Sequence, residues 1–362
     1  MTRPIGYYVH HHGDGHRQRA IQIASRAPDR FVLLGTGLEG RSGGLRFVDL
    51  ADDRPEGRQA FDGADGTDDR PQALHYAPID HEGVRSRAAG IAAWIASARP
   101  ALMVVDVSVE VAMLARLTST PTVYVRLTGR RDDPAHLDAF RGATALMCPF
   151  SAPLDDPGTP DWIRGKTHYA AGLTPEVPRR EVREDVVLVV VGRGGAVGDG
   201  ARIAETARAY PELQWRVAGP VSPVSRPSAN LILLGWTEAA SDEIARAGVV
   251  VGGAGNGLVN AVLAADRPFI CLPEPRPYDE QFMTGRRLEA LGAAVVVEGG
   301  WPPARAWSAL LAEARGLDPV ARAGLVDAEG PAATARWLLG LADGSCATAV
   351  PTVSNPVLRT SA

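Results

Sequence analysis

Cysteine and long apolar runs are both scarce in this sequence, and each shortage excludes a class of protein. The 362 residues include only three cysteines, Cys148, Cys271 and Cys346, which lie far apart without a CxxC pair. Neither a disulfide framework nor a cysteine-based zinc site is therefore expected. No stretch approaches the roughly 20 apolar residues that a membrane span needs. A net charge of −4 gives no reason to expect nucleic acid as a partner.

The first residues also lack the features of a secretory signal. Residues 1–5 contain one arginine and no long apolar segment. We therefore expect a cytoplasmic protein, in which any contact with the inner face of the membrane would be peripheral. Apolar residues make up 45% of the chain and charged residues 22%, which is typical of soluble globular proteins.

Short β-branched runs alternate with helix-length segments through both halves of the chain. Strands that are apolar on both faces and separated by helices indicate a parallel sheet covered on both sides. The two halves are joined by "GLTPEVPRREVRED", whose prolines and mixed charges are typical of an exposed linker. The sequence predicts an α/β protein with two Rossmann-like, doubly wound domains that face a cleft. We place the domains at residues 1–172 and 186–341, with a linker at 173–185 and a mobile tail at 342–362.

The stretch "YVHHHGDGHRQRA" forms the turn between the first strand and the first helix. Gly13 and Gly15 supply backbone freedom there, and His16 begins the helix at the carboxyl edge of the sheet, where an imidazole can act as a general base. A metal site would use His12, Asp14 and His16. Adjacent histidines on a strand point to opposite faces and no downstream ligand pair completes a shell, so we expect no metal. The alternative to a functional role is that the three consecutive histidines only fill the polar end of the strand.

Four segments carry a resemblance to a known family in their order and spacing. They are "GDGHRQRAIQIA", "GRGGA", "VVVGGAGNGLVNAVLAADRPFICLPEPRP" and "RPYDEQ". Together they resemble the GT-B glycosyltransferases, particularly family 28, which includes the lipid I N-acetylglucosaminyltransferase group, over roughly residues 4–341. The resemblance implies metal-independent, inverting transfer of a sugar from a nucleoside-diphosphate sugar, with a UDP-sugar favoured, to a hydroxyl of a small-molecule or lipid-linked acceptor. It implies no cofactor beyond that co-substrate.

The resemblance assigns donor-binding roles mainly to the second half. Backbone amides of glycine-rich turns before helices suit a diphosphate, since a helix begins with a positive dipole end. The turn residues so assigned are Gly192, Arg193, Gly194, Gly195, Gly253, Ala254, Gly255, Asn256 and Gly257. Trp236 and Asn260 are assigned to the nucleoside, and Glu280 and Gln281 to the donor sugar. The alternatives are plain structural turns, a core tryptophan, and helix capping by Glu280 and Gln281.

On the acceptor side the resemblance implies Gly13, Asp14, Gly15 and Arg126 as contacts and His16 as the catalytic base. Asp106 ends the strand "ALMVVD", where it could orient His16 or a hydroxyl, or instead cap the next helix. Arg126, together with Arg130 and Arg131, would contact an anionic acceptor or lie in a solvated loop.

The sequence departs from the family pattern at two positions. The family's histidine falls on Gly252, and its ribose-binding glutamate falls on Asn260, which loses the strength of a charge-assisted hydrogen bond. These departures keep two other functions open. One is a nucleotide-sugar epimerase of the same fold, and the other is a non-catalytic subunit that binds sugar nucleotides.

Overall fold

The computed structural model of this chain describes residues 2–11, 14–54, 71–192 and 195–344. Its first sheet has seven parallel strands in the order β3-β2-β1-β4-β5-β6-β7. These strands are β1 (Ile5–Tyr8), β2 (Phe31–Gly35), β3 (Phe47–Asp49), β4 (Leu102–Asp106), β5 (Thr122–Val125), β6 (Ala145–Cys148) and β7 (Thr167–Tyr169). The helices between them are α1 (Asp14–Ala24), α2 (Glu82–Ala98), α3 (Val109–Leu117), α4 (Pro134–Gly142) and α5 (Asp161–Arg164).

The second sheet has six parallel strands in the order β10-β9-β8-β11-β12-β13. They are β8 (Arg183–Val190), β9 (Gln214–Ala218), β10 (Leu231–Gly235), β11 (Ala247–Gly252), β12 (Phe269–Cys271) and β13 (Val295–Val296). The remaining helices are α6 (Gly200–Ala209), α7 (Ala240–Arg246), α8 (Asn256–Ala265), α9 (Glu280–Ala290), α10 (Trp307–Gly316), α11 (Pro319–Ala323) and α12 (Gly330–Ala342). The predicted α/β class with two doubly wound domains is confirmed.

Both sheets are buried on both faces, as their apolar strands predict. In β4, Val104 packs in a cluster on one face and Val105 in a cluster on the other. In β8, Leu188 likewise packs in a cluster on one face and Val189 in a cluster on the other. The strand order reverses between β1 and β4 and again between β8 and β11, and ligands of doubly wound sheets bind outside the carboxyl ends at such points.

The last helix does not belong to the second sheet. Ala335 and Leu338 of α12 are buried in the same cluster as the strands of the first sheet, and Trp337 stacks on His168 with ring centroids 4.2 Å apart. Arg30 also pairs with Asp343 at 2.8 Å. The first domain therefore comprises the first sheet with its helices and α12, whereas the sequence-based boundaries placed α12 in the second. β8 begins inside the segment that was expected to be a linker.

The chain thus passes twice between the domains, and the two passages touch. A side chain on Gly172, whose φ is +75°, would meet the Asp327 carbonyl oxygen at 1.9 Å. One on Gly330 would meet the Ala171 carbonyl oxygen at 1.8 Å. Only glycine allows backbones to approach so closely.

An apolar interface reinforces this junction. Phe150 and Leu154, which follow β6, share one buried cluster with Leu288 of α9 and Leu325. Within the described residues, no helix combines the length and apolar character needed to cross a bilayer.

Candidate active site

A cavity of about 1030 Å³ lies between the two domains at the carboxyl ends of both sheets. The first domain contributes the end of β1 and parts of α1, α2 and α3, while the second contributes the turns after β8 and β11 and the segment before α9. The cavity occupies the place where the strand orders predict a ligand.

His16, Asp106 and Arg19 form a hydrogen-bonded group on the first-domain wall. The His16 Nδ1 atom lies 2.9 Å from Asp106 Oδ1, and Arg19 donates to both oxygens of the same carboxylate from Nη2 at 2.8 Å. His16 and Arg19 sit on one face of α1 because they are three residues apart. Asp106 reaches them from the end of the neighbouring strand β4. The structure thus brings the two predicted catalytic residues together.

The Asp106 carboxylate is ionised although it has no solvent exposure. Burial alone would raise its pKa, but the positive charge of Arg19 and the hydrogen bonds from His16 and Arg19 outweigh that effect and lower the pKa to about 2. His16 Nδ1 faces both Asp106 Oδ1 at 2.9 Å and Arg19 Nη2 at 3.0 Å. We assign its proton to Nδ1, because the ionised carboxylate only accepts hydrogen bonds and Arg19 already donates to it, and this leaves on Nε2 the lone pair that a base needs. Asp106 does not cap the next helix. Ser108 caps α3 instead, accepting from the Val111 amide at 3.3 Å.

Other charged side chains lie next to the rest of the histidine-rich turn. His11 Nδ1 lies 3.2 Å from Asp53 Oδ1, which also pairs with Arg87 at 2.9 Å. Asp14 accepts from Gln18 at 3.1 Å and pairs with two arginines, Arg17 and Arg41. Asp14 and Gly15 line the cavity, and their role as acceptor contacts stays a prediction. Gly13, and His12 of the metal alternative, lie outside the described residues.

On the opposite wall, α8 points its amino terminus into the cavity. Gly253, Gly255, Asn256 and Gly257 line the cavity, and Ala254 between them is buried. The N-cap of this helix is Gly255, and among the described residues no side chain accepts from its first amides. The first amides of α8 and its positive dipole end are therefore available to an anion.

The other glycine-rich turn differs from α8 in this respect. Gly192 lines the cavity, while Arg193 and Gly194 lie outside the described residues. A side chain on Gly195 would meet Glu274 Oε2 at 2.1 Å. The following helix α6 begins at Gly200, whose amide donates to the Ser222 hydroxyl at 2.9 Å. The N-cap of α6 is Asp199, whose side chain accepts from the Arg202 amide. The end of α6 is thus already capped, so the dipole argument applies to α8.

Glu280 and Gln281 begin α9, yet neither side chain bonds to the amides of that helix in the way capping would require. Glu280 Oε2 lies 3.2 Å from Nη2 of Arg131 in the first domain. Gln281 is buried, and its Oε1 accepts from the amides of Ala254 at 2.9 Å and Glu274 at 3.1 Å. Both residues line the cavity.

The two residues predicted to bind the nucleoside have opposite exposures. Trp236 is 53% exposed and lines the cavity, so it is not a core residue. Asn260 is 2% exposed, and its amide nitrogen donates to the Pro149 carbonyl oxygen at 3.1 Å, which ties α8 to the first domain. Its assignment to the nucleoside stays a prediction.

Arg126 is the predicted acceptor contact that the structure places elsewhere. Its buried guanidinium makes two hydrogen bonds to Asp155, at 2.9 and 2.6 Å, and it is absent from the cavity lining. Arg131, three residues after Thr128, does line the cavity. It is 7% exposed, so the alternative of a solvated loop does not describe Arg131.

A second group of titratable residues, which the sequence did not reveal, lies beside Arg131. His75, Asp133 and His136 place their ligand atoms within 4.8 Å of one another, and such a set could hold a metal ion. However, Arg131 Nη1 lies 3.0 Å from His136 Nε2. The positive charge of Arg131 next to His136 opposes the binding of a metal cation. In addition, Asp133 already accepts from the imidazoles of His75 and His136, at 2.8 and 2.6 Å.

No protein-family model matches this sequence, and no curated protein matches it either. Comparison with solved structures instead gives matches over nearly the whole chain. The fold resembles that of the glycotransferase of kitacinnamycin, with a TM-score of 0.64 and 14% identity over 96% of this chain and 97% of the other.

Two further solved structures resemble the chain to a similar degree. MurG of Acinetobacter baumannii matches with a TM-score of 0.63 and 12% identity, covering 94% of this chain and 99% of its own. UGT89C1 of Arabidopsis thaliana, solved with UDP, matches with a TM-score of 0.62 and 13% identity over 88% and 92% of the two chains. The chain therefore has the GT-B fold of these glycosyltransferases.

Proposed function

We propose that the protein is a metal-independent, inverting glycosyltransferase that moves a sugar from a nucleoside-diphosphate sugar, a UDP-sugar being favoured, to an acceptor hydroxyl. One observation carries the proposal. The His16–Asp106–Arg19 group and the uncapped amino terminus of α8 face a single cavity from opposite domains. The first group can remove a proton, and the second can stabilise an anion.

In the proposed reaction His16 Nε2 accepts the proton of the acceptor hydroxyl as its oxygen attacks the anomeric carbon. Asp106 holds the imidazole in the required tautomer and stabilises the imidazolium that forms, while Arg19 keeps the buried Asp106 ionised. The bond from the anomeric carbon to the diphosphate breaks on the opposite side, which inverts the configuration. The departing diphosphate gains negative charge, and the amides at the start of α8 stabilise it.

Two observations bear on the donor, of which the first supports a nucleotide of any base and the second favours uridine. Trp236 offers an exposed ring at the cavity wall, on which a base can stack. In addition, one of the similar structures, UGT89C1, was solved with UDP. The amide nitrogen of Asn260 already donates to the Pro149 carbonyl oxygen. We therefore expect the ribose to be held less tightly than by a carboxylate at that position.

The proposal is tested by titrating the protein with UDP and UDP-sugars in the presence of EDTA, by calorimetry, and then by measuring UDP release with a panel of acceptors. His16→Ala should lower turnover by about 100- to 10,000-fold while UDP affinity stays nearly unchanged. His16→Asn is the matched control, since its amide can still donate to Asp106 but cannot act as a base. Unchanged turnover in both variants would remove His16 from the mechanism.

The departures from the family pattern at Gly252 and Asn260 favour one alternative function, a non-catalytic protein that binds sugar nucleotides. Such a protein would bind the nucleotide sugar without releasing UDP with any acceptor. An epimerase would differ again, because it would convert the donor into its epimer in the absence of acceptor.

A further inference from the structure

The loop after β5 of the first domain contacts the segment that leads into α9 of the second domain. The Arg130 amide donates to the Tyr278 carbonyl oxygen at 2.7 Å, and the hydroxyls of Thr128 and Thr284 lie 2.8 Å apart. Between them, Gly129 has a φ of +101°, and a side chain there would meet the Tyr278 oxygen at 2.5 Å. These two backbone segments are therefore closely fitted to each other.

Arg131 joins this contact to a hydrogen-bond network inside the first domain. Asp133 caps α4 by accepting from the His136 amide at 3.1 Å, and its other oxygen lies 2.6 Å from His136 Nδ1. Because Nδ1 faces a carboxylate and Nε2 faces a guanidinium that only donates, the proton belongs on Nδ1. His136 is thus an oriented acceptor for Arg131.

His136 also keeps this neutral form over a wide pH range. Burial lowers its pKa, and the nearby charge of Arg131 adds to that effect against the opposing influence of Asp133, so that its pKa is about 4. At neutral pH, the imidazole therefore accepts from Arg131 instead of repelling it.

All three nitrogen atoms of the Arg131 guanidinium have partners in different directions. Nε donates to the Thr128 carbonyl oxygen at 3.2 Å, Nη1 to His136 at 3.0 Å and Nη2 to Glu280 at 3.2 Å. Its central carbon lies 4.7 Å from the centre of the Tyr278 ring, which is a cation–π contact. A planar guanidinium can satisfy this arrangement, whereas a lysine ammonium lacks the required fork.

The segment that Arg131 contacts is strained. Tyr278 and Asp279 both have positive φ, at 63° and 56°, and this conformation is costly for the bulky Tyr278, whereas aspartate tolerates it better. Such a conformation persists only where neighbouring contacts enforce it. The segment ends at Glu280 and Gln281, and Gln281 in turn holds the amides of Ala254 and Glu274.

We infer that Arg131 is a positioning residue, through which the first domain sets the conformation of residues 278–281 and so forms the binding site for the donor's sugar. This inference rests on the proposed function, in which Glu280 and Gln281 bind that sugar. It assigns Arg131 to the second domain's ligand, although Arg131 belongs to the first domain.

The first test needs no ligand. Arg131→Lys keeps the positive charge opposite Glu280 but removes the fork, and we expect amide hydrogen exchange of residues 278–284 to become about tenfold faster or more. Arg141→Lys is the matched control. Arg141 is 60% exposed, and its described ion pair is with Asp138. Equal exchange in Arg131→Lys and the wild type would overturn the positioning role.

The second test compares UDP with UDP-N-acetylglucosamine and UDP-glucose by calorimetry. Arg131→Lys should weaken binding of a UDP-sugar by about 10- to 100-fold while UDP affinity changes little. A residue with only a structural role would weaken both ligands equally, and that result would overturn the inference. Glu280→Gln should give a similar selective loss, and the double variant should lose little more than either single one.

The two tests separate failure of the inference from failure of the proposed function. If wild-type protein binds no uridine nucleotide, the proposed donor is wrong and the sugar-site part of the inference is overturned with it. If it binds UDP and UDP-sugars but Arg131→Lys leaves their affinity ratio unchanged, only the role of Arg131 is overturned.

Discussion

At the scale of single residues, the ionised carboxylate of Asp106 is a fully buried charge behind the cavity wall. A buried charge is costly unless it is paired and hydrogen-bonded. Asp106 meets both conditions through Arg19 and His16, on a helix 87 and 90 residues away in sequence. The following residue, Val107, has a φ of 54°, which is strained for a β-branched side chain and is a common feature of functional turns.

Removing this charge should destabilise the protein in a pH-dependent way. Asp106→Asn leaves Arg19 buried without its counter-charge, so we expect the free energy of unfolding to fall by about 3–5 kcal/mol at pH 7. The folded-state pKa, about 2, lies below the ordinary value of 3.8, so the part of this stabilisation that comes from ionisation is present above about pH 4 and is lost as pH falls through 2. Urea denaturation of both proteins between pH 2 and pH 7 measures the difference.

The matched control is Asp138→Asn, whose carboxylate is 53% exposed and pairs with the exposed Arg141. It should change the free energy of unfolding by less than about 0.5 kcal/mol. If Asp106→Asn behaved like this control, Asp106 would not be an ionised partner of Arg19.

At the scale of elements, the two helices that follow glycine-rich turns in the second domain have different amino termini. α6 is capped by Asp199, which accepts from the Arg202 amide at 3.1 Å, whereas α8 has no side-chain cap and opens on the cavity. Because Gly255 has no side chain, the first amides of α8 are left open to a ligand in the cavity.

Adding a negative charge to the start of α8 should therefore have opposite effects on stability and on binding. Gly257→Glu should leave the free energy of unfolding unchanged or raise it by about 0.3–1 kcal/mol through the helix dipole, since a side chain there meets nothing within 4 Å. The same carboxylate should weaken UDP binding at least about tenfold, because it competes with the diphosphate for the α8 amides.

Gly257→Gln adds similar bulk without the charge, and calorimetry on the pair isolates the electrostatic effect. Equal UDP affinities in the two variants would show that the diphosphate does not approach α8.

The sequence predicts elements well where their physics is local. Apolar runs that alternate with helix-length segments predict the strands, and the glycines after β11 predict the turn into α8. The carboxyl-edge positions of His16 and Asp106 also follow from the strand pattern, so their meeting could be expected.

Other contacts were not predictable because they join distant parts of the chain. Arg126 resembles a ligand contact in sequence, but its partner Asp155 comes from another loop. Arg131 and Glu280 are 149 residues apart, and no local pattern relates them. The apolar face of α12 predicts burial but does not specify which sheet covers it.

At the scale of the whole molecule, α12 makes the first domain depend on the end of the chain. Leu338 is fully buried against the first sheet, so Leu338→Ala should cost about 2–5 kcal/mol. Hydrogen exchange should show the loss of protection in α1 and β2 of the first domain.

Leu311→Ala is the matched control, since Leu311 is 4% exposed in a cluster of the second domain. It should release amides of the second sheet instead. Loss of protection in the same domain for both variants would contradict the assignment of α12 to the first domain.

The double passage of the chain at Gly172 and Gly330 also has a consequence for biosynthesis. Because the first domain is completed only by α12, the second domain is an insertion within it. During synthesis, the segment from β8 to α11 carries all six strands of its own sheet, whereas the first domain lacks α12 until residues 330–342 have left the ribosome. We therefore expect the first domain to be the last completed, and a chain truncated before residue 330 should carry a folded second domain beside an incomplete first one.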